Sequence, residues 1–328
     1  MKAAVQERYG PPEVVEVRDV DRPVPKDGEV LVRVHAASIN RADLDALKPR
    51  PRFVRLLVGL RAPRNIRTGI DVAGVVESVG AGVTAFKPGD EVIGDVYGAE
   101  HGAFAEYVTA RERSFATVPP GMSMEAAATL PHSAVLALQA LRLRNGRTIK
   151  AGDRVLIDGA SGSVGPFAVQ IAKALGAEVT AVCSTPNVEI ARSLGADLVI
   201  DYRVEEFTRR SERYHLVLDI AGTRSFSELR RVLEPGATVV VVGGPRANRL
   251  LGPLGHVVGS RLRAIRGSQR ATFFVATFNK EDMETLRELM ESGKLTSVID
   301  STYPLDEIAG ALQHMGEGHP RGKILITV

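Results

Sequence analysis

The segment Val155-Leu-Ile-Asp158-Gly159-Ala-Ser-Gly162-Ser-Val-Gly165-Pro166 carries the residues whose types and spacing point most directly to chemistry. An apolar run predicts a strand, a glycine turn follows, and Pro166 suits the first turn of a helix, where no donor is lost. That arrangement brings bare backbone N–H groups up to a pyrophosphate at a helix N-terminus. In the G-x-G-x-x-G register Ala160 holds the first place, with Gly159 just before it. Ser161, Gly162, Ser163 and Val164 are the candidate phosphate contacts. Gly162 admits the anion close to the backbone, and Gly165 lets helix and strand pack closely. A lone glycine pattern is weak, because glycine turns are common. The strand before it and the helix after it are the context that confirms a dinucleotide site.

The residues after the next predicted strand bear on which dinucleotide binds. An acid about 20 residues past the glycines reads the ribose 2′-hydroxyl of NAD. Here the strand Glu178-Val-Thr-Ala-Val182 ends in Cys183-Ser184-Thr185-Pro186-Asn187, with no acid. Small hydroxyl and amide groups suit a 2′-phosphate that a carboxylate would repel, so NADP (as NADPH) is favoured over NAD. Ser184 and Asn187 could equally cap the helix that follows, since a cap and an anion site use the same helix end.

These residues need a scaffold, and the pattern predicts two. Short Val-rich strands over 3–8, 14–17, 30–35, 72–79, 91–94 and 104–108, punctuated by turns such as Lys87-Pro-Gly-Asp90, suggest a compact β-barrel. A helical stretch over 125–143 breaks near Pro131. Strands and helices then alternate: strands at 154–158, 178–183, 198–200, 215–220 and 238–242, helices at 166–175, 188–194 and 226–233. The strands are continuous apolar runs, as in a doubly wound parallel sheet covered on both faces. A strand at 273–278, a helix capped by Asn279 and closed by Gly293, a strand at 298–303, a helix at 306–315 and a strand at 323–328 finish the chain. No internal repeat or low-complexity tract is visible.

Composition bounds the function. The 328 residues favour about two domains, and the formal charge of +3 does not by itself call for nucleic acid. No apolar run is long enough to span a bilayer, and the N-terminus reads as a strand without a signal-peptide core, so a cytoplasmic protein is expected. The single cysteine, Cys183, excludes an intrachain disulfide and any multi-cysteine metal site.

With these residues in view, the chain resembles the medium-chain dehydrogenase/reductase superfamily, and most nearly its zinc-independent quinone oxidoreductase-like branch. The stretches that carry the resemblance are Ser38-Ile-Asn-Arg-Ala-Asp43, Gly69-Ile-Asp-Val-Ala-Gly74-Val-Val-Glu77, Phe86-Lys-Pro-Gly-Asp90, Gly102-Ala-Phe-Ala-Glu-Tyr107, residues 126–141, the glycine turn, Leu194-Gly-Ala-Asp197 with Ile200-Asp-Tyr202, and Gly322-Lys-Ile-Leu. They occur in family order along nearly the whole chain. The resemblance implies an α/β protein with a GroES-like β-barrel catalytic domain (1–122, with 296–328 returning to it). A Rossmann domain, 123–295, is inserted, and the active site lies in the cleft between the two. It also implies a homodimer formed through an edge strand, for which 273–278 would serve.

Zinc members of the superfamily place a cysteine after the third main strand and a His-Glu pair after a glycine. Those places read Asn40 and Ile70-Asp71 here, and the four cysteines of a structural zinc lobe are missing, so no metal site is expected. Without a Lewis acid, an alkoxide losing hydride is hard to stabilise. Reduction of quinones or α,β-unsaturated carbonyls by NADPH, in which the acceptor delocalises the incoming charge, is the activity the resemblance implies.

The resemblance also assigns residues. Asn40 would reach the nicotinamide ribose or the substrate oxygen; its bland reading is a strand-end turn residue. Asp43 belongs to the same motif, with a helix cap equally open. Tyr202 would lie by the 2′-phosphate, Gly243 and Gly244 would pass the nicotinamide, and Phe274 and Val275 would occupy the next such position, unless they are plain core residues. Arg321 matches a phosphate-contacting arginine, whose guanidinium fork suits a phosphate; a solvated surface arginine is the alternative. Two departures stand out: Pro186 where many members have a lysine on the 2′-phosphate, and Val135 near a cofactor-touching threonine. For a proton donor, Tyr97, His101 and His132 are the candidates, with solvent as the alternative. The basic and apolar segments 48–67 and 246–270 read as cleft-flanking loop and helix, or as a membrane-surface or quinone-access patch. Partners are a small-molecule quinone or enone, with no nucleic acid and no membrane span. Two rivals remain: an enoyl-thioester reductase on the same fold, and a non-enzymatic nucleotide- or RNA-binding regulator, against which the lack of an aromatic-basic RNA motif argues.

Overall fold

The computed structural model describes residues 1–49, 54–97, 102–142, 148–243, 268–318 and 320–328. The chain divides into two units. The first holds Met1–Val135, Thr277–Glu291 and Ser297–Val328; the second holds Leu136–Ala276 and Ser292–Thr296.

In the first unit β1 (Lys2–Gln6) and β2 (Val15–Asp19) pair antiparallel. A larger sheet is built from β3 (Glu29–Ile39), β4 (Asp71–Val79), β5 (Glu91–Asp95), β6 (Tyr107–Arg111) and β7 (Phe115–Thr117), joined by β14 (Ile299–Pro304) and β15 (Lys323–Thr327) from the end of the chain. Its order is β14-β15-β3-β4-β5-β7, with β6 on β3. β3 shows why these residues make strand: β-branched Val30, Val32 and Val34 pack on the pleat and are buried, while Arg33 and His35 between them face solvent. The core gathers these valines with Phe86, Phe104 and Phe115, and with Ile308, Leu312 and Met315 of the helix Ile308–Glu317.

The register sets one end of this sheet apart. Ser38 on β3 pairs with Asp71 on β4, Asp71 pairs with Asp95 on β5, and Ile39 pairs with Ile324, next to Lys323 on β15. Beyond β3 the chain turns at Asn40 into α1 (Arg41–Leu47). Charged and polar side chains from four strands therefore converge at that edge.

The second unit is a six-stranded parallel sheet of β8 (Arg154–Asp158), β9 (Glu178–Cys183), β10 (Leu198–Asp201), β11 (Tyr214–Asp219), β12 (Leu233–Val241) and β13 (Arg270–Thr272). The order is β10-β9-β8-β11-β12-β13, so the direction of winding reverses between β8 and β11, where doubly wound sheets bind ligands. Its core packs Leu156, Val182, Val217 and Val239 against Phe207 and Phe226.

Two expected elements differ. The strand expected at 273–278 is irregular, and the edge strand is β13, which precedes it. β13 pairs with β12 only as far as Val240↔Thr272, and β12 ends at Val241, so Phe273 onward has no ladder to join. Val275 is accordingly 63% exposed. The helix expected at 226–233 ends early: α-helix covers Phe226–Leu229, a tighter turn covers Arg230–Val232, and Leu233 already opens β12.

Candidate functional site

At the polar end of the seven-stranded sheet, a lysine is enclosed completely. Lys323 is 0% exposed, and its ammonium donates to Asn40 Oδ1 at 2.7 Å, Asp71 Oδ2 at 3.1 Å and Ser133 Oγ at 3.2 Å. An ammonium has three N–H donors and no acceptor, so this set satisfies it. Gly322 makes the placement possible. Its φ is +104°, and a Cβ there would lie 2.2 Å from Val298 O, so a side chain would push β15 away.

Asp71 is the counter-ion, also 0% exposed. Its Oδ2 further accepts from Ser38 Oγ at 2.9 Å and Asn40 Nδ2 at 2.8 Å, while Oδ1 is buried without a hydrogen-bond partner. Burial pushes its carboxyl above the ordinary range, and the Lys323 charge opposes that. Asn40 is thereby held at both ends of its amide, Oδ1 on Lys323 and Ser133 and Nδ2 on Asp71.

Asp43 lies in the same buried patch. Its Oδ2 accepts the Asn40 backbone N–H at 2.7 Å, the reciprocal half of a capping box on α1. Burial, which outweighs that hydrogen bond, drives its carboxyl up to about 7. The cap reading of Asp43 thus has a direct geometric partner.

Next to Ser133, His132 Nδ1 lies 3.1 Å from Asp95 Oδ2. Asp95 Oδ1 accepts the Tyr97 backbone N–H at 2.8 Å, so both carboxylate oxygens are engaged. Burial alone would lower the imidazole pKa. The Asp95 hydrogen bond and the charges of Asp71 and Asp95 outweigh it, and the net direction is up. The Tyr97 ring is 54% exposed, tilted against the His132 ring at 6.4 Å between centroids.

In the second unit, the glycine turn leads from β8 into α2 (Gly165–Ala174), with Pro166 in its first turn. A Cβ on Gly165 would lie 2.4 Å from Gly159 O and from Ala160 C, which is the close helix–strand approach the motif requires. Gly162 opens outward, with only Gly159 O within 4 Å, at 3.8 Å. No side chain caps α2 at Val164. A helix start with open N–H groups behind a bare glycine fits a pyrophosphate.

Ser161 and the β9 end are tied together. Asn187 Nδ2 donates to Ser161 Oγ at 3.1 Å and to Ser184 Oγ at 3.0 Å, while Asn187 Oδ1 is buried without a partner. Neither Ser184 nor Asn187 caps the following helical turns through its side chain. Tyr202 follows β10 on the same edge, 42% exposed, with its N–H on Cys183 O at 3.1 Å. Gly243 closes β12, its N–H on Asp219 O at 3.0 Å, and a Cβ on it would lie 2.0 Å from Ile220 O. Phe274 is half-buried and Val275 exposed, so neither is a core residue.

Arg321 stands apart in the first unit, exposed, with its backbone N–H on Asp300 Oδ1 at 3.0 Å. His101, Gly244 and most of 246–270, with 50–53 of the first basic segment, lie outside the described residues. Among the described residues no group of three or more His, Cys, Asp and Glu side chains could hold a metal ion. No helix there is long and apolar enough to cross a membrane.

Reading the sequence alone does not single out Lys323, Ser133 and Asp95 as a cluster with Asn40. The available signal was a charged residue inside an apolar strand, as in Lys323-Ile-Leu-Ile or Ile70-Asp-Val-Ala, because such residues are rarely buried unless paired.

Comparison with known proteins agrees with this architecture. The alcohol dehydrogenase GroES-like domain family matches residues 26–120, and the zinc-binding dehydrogenase family matches residues 194–326. The mitochondrial NAD(P)H oxidoreductase RTN4IP1 of Homo sapiens is 35% identical over 358 residues, covering 100% of this chain and 89% of that protein. The trans-enoyl reductase pgmF of Aspergillus terreus is 33% identical over 321 residues, covering 92% of this chain and 86% of that protein. Among solved structures, the quinone oxidoreductase from Coxiella burnetii superposes with a TM-score of 0.87 at 29% identity, covering 100% of this chain and 99% of that one.

Proposed function

The chain belongs to the medium-chain dehydrogenase/reductase superfamily, in its quinone oxidoreductase-like branch, and from that premise we propose that it is an NADPH-dependent, metal-independent reductase of quinones or α,β-unsaturated carbonyls. The observation that carries the reading is the buried Lys323 ammonium. It binds Asn40, at the place of the zinc relatives' cysteine, and Asp71, the second residue of the Ile70-Asp71 pair that stands where they have His-Glu. A fixed ammonium supplies positive charge there, and the amide and carboxylate are already engaged by it. Acceptors that spread the incoming charge over a conjugated system need no stronger Lewis acid.

The bound cofactor would supply the hydride. Ser161, Gly162, Ser163 and Val164 would hold the pyrophosphate, Gly243, Phe274 and Val275 the nicotinamide end, and Ser184, Asn187 and Tyr202 the adenosine 2′-phosphate. Arg321 is a further phosphate contact in this reading. The absence of a carboxylate after β9 supports NADP over NAD. The second reading, an enoyl-thioester reductase, is favoured by the likeness to a trans-enoyl reductase. A homodimer and a cytoplasmic location complete the proposal.

Oxidation of NADPH and NADH against a panel of quinones, enals and enoyl thioesters tests this. NADPH is expected to be preferred, with turnover on a quinone or enone. Tight NADPH binding without turnover on any acceptor removes the enzyme reading, and a preference for NADH removes the 2′-phosphate argument. Fastest turnover on thioesters selects the second reading. Substituting Asn40→Ala should lower turnover more than NADPH affinity; unchanged kinetics would take Asn40 out of the site.

A further inference from the structure

Reduction of an enone or quinone needs a proton as well as a hydride, and the polar end of the seven-stranded sheet contains a group built to give one. We propose that His132, oriented by Asp95, is the general acid of the reaction and that its Nε2 delivers the proton to the reduced acceptor. This rests on the reductase reading above.

The geometry carries it. Asp95 is fixed through both oxygens, by the Tyr97 N–H at 2.8 Å and by His132 Nδ1 at 3.1 Å. An imidazole that donates Nδ1–H to a carboxylate has its tautomer set and Nε2 turned to the other side. Nε2 takes no hydrogen bond among the described residues. The side chains of His132 and Asp95 are 22% and 11% exposed, so the pair is enclosed but reachable. The residue after His132 is Ser133, whose Oγ donates to Asn40 Oδ1 at 3.2 Å and accepts from Lys323. The acid thus stands one residue from the cluster of Lys323, Asn40 and Asp71.

The charges around the ring agree. Asp95 on β5, Asp71 on β4 and Asp43 on α1 favour its charged form, and Lys323 on β15 opposes it. The net effect shifts the ring toward the imidazolium, the form that has a proton to give. Asp95 is a positioning residue, because it acts only through His132.

The step balances. The acceptor's conjugated carbon takes the hydride and its electron pair from the reduced nicotinamide, and the acceptor's π pair moves to the carbonyl oxygen. This gives an enolate; from a quinone it is the ene-dione enolate, which becomes the hydroquinone once oxygen is protonated and the ring carbon releases its proton to water. The Nε2–H bond then breaks, its electron pair stays on the now neutral ring, and the proton forms the new O–H or C–H bond. Nδ1–H remains on Asp95, and solvent water returns the proton to Nε2.

The test uses the whole protein. Wild type is expected to show kcat falling as pH rises through the imidazole pKa. The His132→Gln variant should lose about 10²- to 10⁴-fold in kcat and lose that limb. His132→Ala should regain rate with added imidazole, which a merely structural histidine would not allow. Asp95→Asn should move the limb to lower pH with NADPH affinity, read by fluorescence titration, unchanged. In cofactor-free protein, the His132 imidazole followed by NMR should titrate above the ordinary histidine value, and Asp95→Asn should bring it down. Active wild type with an equally active His132→Gln overturns this proposal alone. Wild type inactive on every acceptor overturns both it and the reductase reading. If His132→Gln does not fold, the Asp95→Asn profile decides, and an unmoved limb overturns the assignment.

Discussion

Both sheets end in buried acids, and the two ends treat them oppositely. In the seven-stranded sheet, Asp71 meets the Lys323 ammonium at 3.1 Å and Asp95 meets His132 at 3.1 Å, so carboxylates and cations alternate. In the parallel sheet, Asp158 and Asp219 sit in register on neighbouring strands at the winding switch, one carboxylate beside another. Asp219 Oδ1 accepts the Gly222 N–H at 2.9 Å, while Asp158 Oδ2 is buried without a partner. Burial first, and the Asp219 charge second, push Asp158 up to about 7. At Asp71 and Asp95 the first end stores charge beside cations, although burial leaves Asp43 in the same patch, like Asp158, at about 7. The second stores a proton, in the residue that leads directly into the glycine turn. A neutral Asp158 leaves the field of the α2 N-terminus to an anion.

The sharpest break of this contrast is to remove the cation from the first end. Lys323→Met leaves Asp71 buried with no counter-ion and should cost about 3–5 kcal/mol, read as a lowered urea midpoint. The double variant Lys323→Met, Asp71→Leu should recover part of that loss, since an apolar pair of similar volume has no charge to bury. A single variant within about 0.5 kcal/mol of wild type would mean that the pair is not the compensated charge described here.

At the second end the backbone matters more than charge. Gly165→Ala places a methyl 2.4 Å from Gly159 O and Ala160 C, neither of which can rotate away. The shift this forces should cost about 1–3 kcal/mol and weaken dinucleotide binding, measured by fluorescence titration. Wild-type stability together with wild-type affinity would show that the close approach is not what orders the turn.

The two ends were also unequally legible. The second is local. Strand, glycine turn and helix are contiguous, and β8 at Arg154–Asp158 and β9 at Glu178–Cys183 begin and end where the apolar runs do. Asn279 caps its helix through Asp282 N at 2.9 Å, as the pattern suggests, because a cap is a short-range contact. The first end is assembled from distant pieces. Lys323 and Asn40 are 283 positions apart, and Lys323 and Asp71 are 252 apart, so no spacing rule links them. The resemblance covers Gly322-Lys-Ile-Leu as well as Asn40 and Ile70-Asp71, but does not bring the lysine together with them. The strand misread at 273–278 has a related cause. An apolar run becomes strand only where a neighbour offers a ladder, and β12 stops first.

The smallest expected effect discriminates the two ends most cleanly, because it depends on pH. Asp158 has a folded pKa of about 7, raised from an unfolded value near the ordinary carboxylate. In the window between those two values the folded protein holds a proton that the unfolded chain has released, so stability falls as pH rises. The contribution is fully present below the unfolded pKa and is lost through about pH 7. Asp158→Asn resembles the protonated acid in shape and cannot ionise. Its stability relative to wild type should rise by about 2 kcal/mol between about pH 5 and about pH 8, read from urea midpoints at the two values. If Asp158 instead finds a cation as Asp71 does, the sign reverses and the variant is the less stable at high pH. Midpoints that stay parallel across the window would mean that the acid ionises at no cost, and the distinction between a charge-storing end and a proton-storing end would fail.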